Sequence, residues 1–263
     1  MNNRMSLALR DLRDGLFGPP IWLYLAWQEV RQRYRRSMLG PFWITISTGA
    51  LIGGMGPLYG KLLHQAVGPY FQHLAISFVV WTLIAGYLND VCNAYISAEG
   101  FIKQVKLPYS MFVMKVLAKN CLIFLHNLVI VVVVLIFFPP ENISRLPLSL
   151  IGLVLVCVNL FWVGIVIAML CARFRDIPQI ISSCVQVLFF LTPIMWQADM
   201  LGRNRDVADW NLIYHWIELV RTPFLGLEVS SLSWIVSVAS AVLGSAVALL
   251  LFSRYRARIS YWV

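Results

Sequence analysis

The stretch EVRQRYRRSMLGPFW, Glu29 to Trp43, sets Arg31, Arg33, Arg35 and Arg36 within six residues and then turns apolar. Guanidinium groups carry planar donor forks that match phosphate and carboxylate oxygens, so such a cluster can gather anionic groups. It also serves as a topology anchor, because Arg at a bilayer centre costs roughly 2.5–3.5 kcal/mol or more. The spacing fits both readings. A second set, His215, Glu218 and Arg221, recurs at three-residue steps. On a helix these lie along one side, where they are expected to satisfy one another structurally rather than to catalyse.

Other chemistry is missing. Gly60-Lys61 is followed by Leu62 where a P-loop needs Ser or Thr, and no glycine stands five residues before Gly60. ATP hydrolysis is therefore not expected of this chain. It holds no His-x-x-x-His pair, no zinc spacing and no Gly-x-Ser-x-Gly elbow, so neither a catalytic residue, a metal nor a cofactor is expected. Cys92, Cys121, Cys157, Cys171 and Cys184 show no paired spacing and read as small apolar residues. His126 is the one deep ionisable residue of its apolar run, and we expect it to bond a neighbouring helix rather than join an ion relay.

The elements that must position these residues follow from composition. The 263 residues are 60% hydrophobic and 13% charged, with a net charge of +9, which marks an integral membrane protein. A hydrocarbon core of about 30 Å needs roughly 20 helical residues. Six apolar runs qualify: Pro41–Leu63, Phe71–Ser97, Ser110–Phe138, Pro147–Cys171, Ile177–Trp196 and Ser231–Phe252. They are continuous, unlike the alternating strands of a barrel. The fold class is thus all-α with six transmembrane helices, and no signal peptide precedes them. Six crossings put both termini on one side, and every Lys and Arg except Lys61, Arg145, Arg203, Arg205 and Arg221 falls there. By the positive-inside rule that side is cytoplasmic. The arginines then sit beside the bilayer, so lipid phosphates, not nucleic acid, are the nearer anion.

Between the runs, four segments carry patterns. Pro19–Leu39 repeats Trp27, Val30, Tyr34 and Met38 at helical steps, as an amphipathic helix on the membrane surface would. Span one holds Gly49-x-x-x-Gly53 and Gly56-x-x-x-Gly60, which favour close helix packing within the subunit or across a dimer, and also leave room for a conduit. The loop of residues 97–110 mixes charge with Phe101, Ile102 and Val105 and stops before Pro108. A short helix docking a soluble partner and a plain interfacial turn both fit it. NLIYHWIELVRTPFLG, Asn211 to Gly226, is apolar enough to enter a membrane but too short to cross, so a re-entrant or interfacial helix pair is expected.

RYRRSMLGPFW (Arg33–Trp43), VKLPYS (Val105–Ser110), ARFRDIPQI (Ala172–Ile180), LTPIMW (Leu191–Trp196) and the Asn211–Gly226 stretch resemble, in this order, the permease subunit of type-2 ABC exporters of cell-surface polysaccharide: O-antigen, capsule and teichoic acid. The resemblance implies a homodimer in the bacterial inner membrane. Two copies of a separate P-loop ATPase, which carry ATP and Mg, would drive a lipid-linked polysaccharide outward. It divides the chain into residues 1–40, a cytoplasmic N-terminus with an interface helix, and residues 41–263, a six-span transmembrane domain. Met38–Pro41 would be the loop into span one, and Glu99, Gly100, Phe101, Ile102 and Lys103 the helix docked on the ATPase. Residues 197–229 would hold periplasmic gate helices bearing His215, Glu218 and Arg221. Trp43, Tyr59, Phe189, Phe190 and Trp196 would line the channel with aromatic rings, and Arg31, Arg33, Arg35 and Arg36 would receive the carrier-lipid headgroup. Tyr214 departs from the aliphatic residue expected before the His-x-x-Glu-x-x-Arg core. An ABC exporter permease for a small drug or lipid shares the six-span plan and remains the alternative; a membrane-embedded lipid-modifying enzyme lacks the clustered His, Asp or Glu it would need.

Overall fold

The computed structural model describes residues 2–18, 21–33, 42–140 and 142–263. The described residues form helices and loops without a strand. Twelve α-helices follow in order: α1 (Asn2–Phe17), α2 (Ile21–Arg33), α3 (Phe42–Leu62), α4 (Val67–Val91), α5 (Glu99–Gln104), α6 (Tyr109–Phe137), α7 (Leu146–Arg173), α8 (Ile177–Leu191), α9 (Asp206–Asp209), α10 (Leu212–Phe224), α11 (Ser231–Tyr255) and α12 (Ile259–Trp262).

Among the described residues four stretches are long and apolar enough to cross a membrane: Val67–Val91, Tyr109–Phe137, Leu146–Arg173 and Ser231–Trp262, the last being α11 continued through a 3-10 turn into α12. They make this a multi-pass membrane protein. Span one of the sequence reading is α3, whose Gly, Thr and Ser residues dilute its hydropathy. Span five is α8, whose 15 residues reach about 22 Å, short of a 30 Å core. The helix starts follow local chemistry. Pro147 and Pro178 occupy first-turn positions of α7 and α8, where a missing N–H costs nothing. Asn211 caps α10 by accepting from the Ile213 and Tyr214 amides at 3.0 and 3.4 Å, and Ser230 caps α11.

The core gathers on α4, which packs against α3, α6, α7, α8 and α10. Its Leu74, Val79, Leu83, Ile84 and Tyr87 are buried, whereas α7 and α11 turn Leu150, Val154, Leu243 and Val247 outward as lipid-facing surface. In lipid, hydrogen bonds and close packing hold helices together. Asn159 of α7 donates to the Ser237 carbonyl of α11 at 3.1 Å and accepts from Ser240 at 2.6 Å. Asn127 of α6 accepts from Thr45 of α3 at 3.2 Å. An added Cβ on Gly152 would sit 2.4 Å from the Leu219 carbonyl oxygen, so only glycine lets α7 lie this close to α10.

Several expectations change on contact with the structure. In α2 the expected stripe divides: Val30, with Ala26, is buried, Trp22, Leu25 and Glu29 are half-buried, and Trp27, with Leu23 and Tyr24, is exposed, where a membrane surface could meet it. Both faces of α2 therefore carry apolar residues, one toward the bundle and one outward. Tyr34 and Met38 lie outside the described residues. Among the described residues His126 bonds within its own helix rather than to a neighbour: its Nδ1 lies 2.7 Å from the Leu122 carbonyl one turn back, and its ring meets Phe42 edge-on. Gly56 and Gly60 pack within the subunit on Phe71 and Tyr70, and Gly49 approaches Ile130, while Gly53 faces open space. The five cysteines are free, with Cys121 and Cys157 sulfurs 3.8 Å apart.

Candidate functional site

At one end of the bundle α5 stands out as a short exposed helix. Glu99 and Lys103 pair along its outer side at 2.6 Å, and Lys103 holds the exposed Glu99 carboxyl below its ordinary pKa. Phe101 is 52% exposed and Gly100 has nothing within 4 Å of where a Cβ would be, while Ile102 turns back onto the core. The helix stops as Val105 adopts extended geometry and Leu107-Pro108 leads into α6. A six-residue helix has no stability of its own. Its flanks fix it: Tyr95, buried just before it, meets Tyr109, just after it, edge-on at 6.2 Å.

The α6 start is locked by a residue the sequence reading did not single out. The Asp11 carboxylate of α1 accepts from the Tyr109 amide at 3.2 Å, and from the Ser110 amide and hydroxyl at 3.0 and 2.9 Å. Arg256 Nε donates to the same carboxylate at 2.6 Å. Asp11 thus caps α6 from outside, an arrangement possible because Gly15, one turn on, leaves room for Ser110. An amphipathic first helix with an acid at its centre was the only signal in the sequence.

Beside this lock, α2 is held by charge. Glu29 meets Lys115 and Lys119 of α6, each at 2.8 Å, and Lys119 also reaches Asp90 of α4 at 2.9 Å. Asn120 donates to Asp90 at 3.1 Å. Burial acts to raise the Glu29 pKa, but hydrogen bonds and charge from the two lysines outweigh it and hold the carboxyl below its ordinary value. Of the arginine cluster, Arg31 is exposed on the last turns of α2 and Arg33 ends that helix. Arg35 and Arg36, with the Met38–Pro41 loop, lie outside the described residues.

The five candidate channel aromatics divide. Trp43 on α3 and Phe190 on α8 are exposed, Phe190 by 71%. Phe189 is wedged against Trp81 and Phe78 of α4 at 5.7 and 6.0 Å. Tyr59 packs on the core, and half-buried Trp196 donates its indole N–H to the Phe190 carbonyl at 3.2 Å. The structure therefore leaves Trp43 and Phe190 free to meet something outside the subunit and uses Phe189 and Tyr59 within it.

At the opposite end, α10 follows a 3-10 turn (Ala198–Asn204) and α9, and most of its residues are buried. Arg221, only 3% exposed, donates to the Pro193 carbonyl at 2.7 Å and Ser77 at 3.0 Å, and pairs with Glu218, which also accepts from Thr222. His215 does not join them. Its ring nitrogens meet Ser233 at 2.9 Å and the Asp209 carbonyl at 2.8 Å. The expected trio is thus a Glu218–Arg221 pair plus a separate His215 tie to α11, because residues 215 and 221 are nearly two turns apart and face different helices. A polar cleft of about 730 Å³ opens over Glu218 and Arg221 between Gln72, His73, Gln197 and Tyr214. The described residues contain no group of His, Cys, Asp and Glu that could hold a metal.

A family model described as ABC-2 type transporter matches residues 21–225. Two curated relatives from Klebsiella pneumoniae, each named O-antigen export system permease protein RfbA, are similar along most of their length. One is 25% identical over 227 residues, covering 82% of this chain and 86% of the relative. The other is 24% identical over 253 residues, covering 92% and 95%.

Proposed function

Since the chain belongs to the ABC-2 type transporter family, we propose that two copies of it form the path by which a lipid-linked polysaccharide, O-antigen foremost, leaves across the bacterial inner membrane. The observation that carries the substrate class is the similarity to two O-antigen export permeases over 86% and 95% of their lengths. On this reading α3 and α8 complete six crossings, α10 is re-entrant on the periplasmic side, and both termini are cytoplasmic. The excess of Lys and Arg at the α5 end supports that orientation.

A polysaccharide hydroxyl loses its hydrogen bonds in hydrocarbon, at several kcal/mol for each unsatisfied group, so a lined path is required. The outward-facing Trp43 and Phe190 suit the apolar faces of sugar rings and permit sliding, because stacking fixes no single hydroxyl pattern. Arg31, Arg33, Arg35 and Arg36 gather the phosphate of the carrier lipid at the cytoplasmic side. Work enters through α5: two separate P-loop ATPase subunits press on Phe101 and its neighbours, and the Tyr95–Tyr109 contact and the Asp11 lock pass the displacement to α6.

Deleting the gene and following both surface polysaccharide and lipid-linked polymer in the cytoplasm tests this. Surface loss with internal accumulation, restored only by this chain together with its ATPase, is expected. Unchanged surface polysaccharide overturns the substrate class and leaves a small drug or lipid as the cargo. Phe101→Ala with Ile102→Ala is expected to separate the permease from its ATPase; normal co-purification and export would remove α5 as the coupling element.

A further inference from the structure

Where α7 and α11 end beside α12, three arginines stand together without carboxylate partners. The Arg173 guanidinium carbon lies 5.1 Å from the Phe174 ring centre and 5.5 Å from that of Trp262. Arg254 and Arg258 lie 5.7 and 5.8 Å from Tyr255, whose ring meets Trp262 at 6.1 Å. One aromatic plate therefore carries three exposed cations. Among the described residues none of the three has an ion-pair partner, while the nearby Arg256 is already engaged by Asp11. Helix dipoles favour Arg at these C-termini in any case. They do not account for three like charges gathered on one plate, nor for what lies below it. There a cleft of about 400 Å³ runs between α7 and α11, walled by Val166, Met169, Leu170 and Leu251.

Charge and aromatic rings above an apolar slot, on the outer face of two membrane-crossing helices, match the head and tail of an anionic amphiphile. We propose that this cleft is a binding site for an anionic membrane phospholipid, its phosphate held by Arg173, Arg254 and Arg258 and one acyl chain lying in the slot. The site stands apart from α5 and from the α3 and α8 aromatics, and it holds whether or not the cargo is a polysaccharide.

Native mass spectrometry of the purified protein, titrated with phosphatidylglycerol or with phosphatidylcholine of the same chains, tests it. Phosphatidylglycerol is expected to be retained preferentially. Arg173→Gln with Arg254→Gln and Arg258→Gln should weaken it about 150-fold, at roughly fivefold for each basic residue. The triple Lys variant, which keeps the charge, should retain most of the binding and controls for folding. Equal retention of the two lipids, or unchanged binding by the Gln variant, overturns the proposal. Photoreactive phosphatidylglycerol should label residues 166–174 and 251–262; labelling confined to other helices overturns it. Displacement by an equimolar polyprenyl phosphate would reassign the site to a carrier lipid, and displacement by glycerol phosphate would remove the role of the slot. Either result sinks the assignment to a resident phospholipid.

Discussion

At the end that carries α5, two carboxylates collect donors from several elements: Asp11 takes the α6 amides and Arg256, and Glu29 takes two lysines of α6. At the far end the roles reverse, and one guanidinium, Arg221, collects Glu218, Ser77 and a backbone carbonyl. The difference lies in what each hub joins. The acidic hubs attach α1 and α2, pieces lying outside the four long apolar stretches, and leave the outer side of α5 free. The basic hub sits inside the packing of α10 against α4, where Arg221, Ser77 and Pro193 are buried and Glu218 is half-buried beneath the polar cleft. The first end can lose its attachments one at a time; the second has a single point whose loss leaves a carboxylate stranded.

That contrast can be broken. Arg221→Leu should have the largest effect, costing about 3 kcal/mol because half-buried Glu218 and the buried Ser77 hydroxyl and Pro193 carbonyl lose their partner, and unfolding in mixed micelles should show one cooperative loss. Asp11→Ala should cost less, about 2–3 kcal/mol from the lost cap and charged hydrogen bonds. Limited proteolysis should then cut within α1 while the bundle survives; resistance of α1 would show that the lock is dispensable. Gly152→Ala should destabilise by about 1–3 kcal/mol, because α10 must back away from α7. Gly53→Ala, with nothing near it, should change stability by no more than about 0.5 kcal/mol. If the two glycine variants matched in unfolding assays, the close α7–α10 approach would be refuted. The smallest effect is expected from pH. Glu29 titrates below its ordinary value of 4.5 when α2 is docked, so docking is complete at neutral pH and weakens as pH falls through that lowered value. Amide exchange in α2 should rise there in the native protein, and Glu29→Gln should abolish the pH dependence.

How much of this could be read beforehand depended on whether a feature was local. Runs such as Ser110–Phe138 announce a helix by length and hydrophobicity alone, and the structure gives α6 almost to the residue. The short helix at Glu99 was one of two readings open from its mixture of charge with Phe101, Ile102 and Val105 and its stop before Pro108, the other being a plain interfacial turn. The inward face of α2 was not, because both of its faces are apolar and only contact with α6 distinguishes them. Among the His215, Glu218 and Arg221 set, spacing found the neighbouring pair but misassigned His215, whose partner Ser233 lies on another helix. Asp11, Asp90 and Lys119 act through contacts across 29 to 245 positions of sequence, which no periodicity encodes.

The tie between Asp11 and Arg256 spans 245 positions. A ribosome adding roughly 5–20 residues per second needs on the order of ten seconds or more to make the second partner after the first. Throughout that interval α1 has been made but has no Arg256 to hold it, and the Asp11 carboxylate waits with only the α6 start to bind. Closing of the α5 end is therefore a late event in the birth of the protein, set by the order of translation as much as by contact energies.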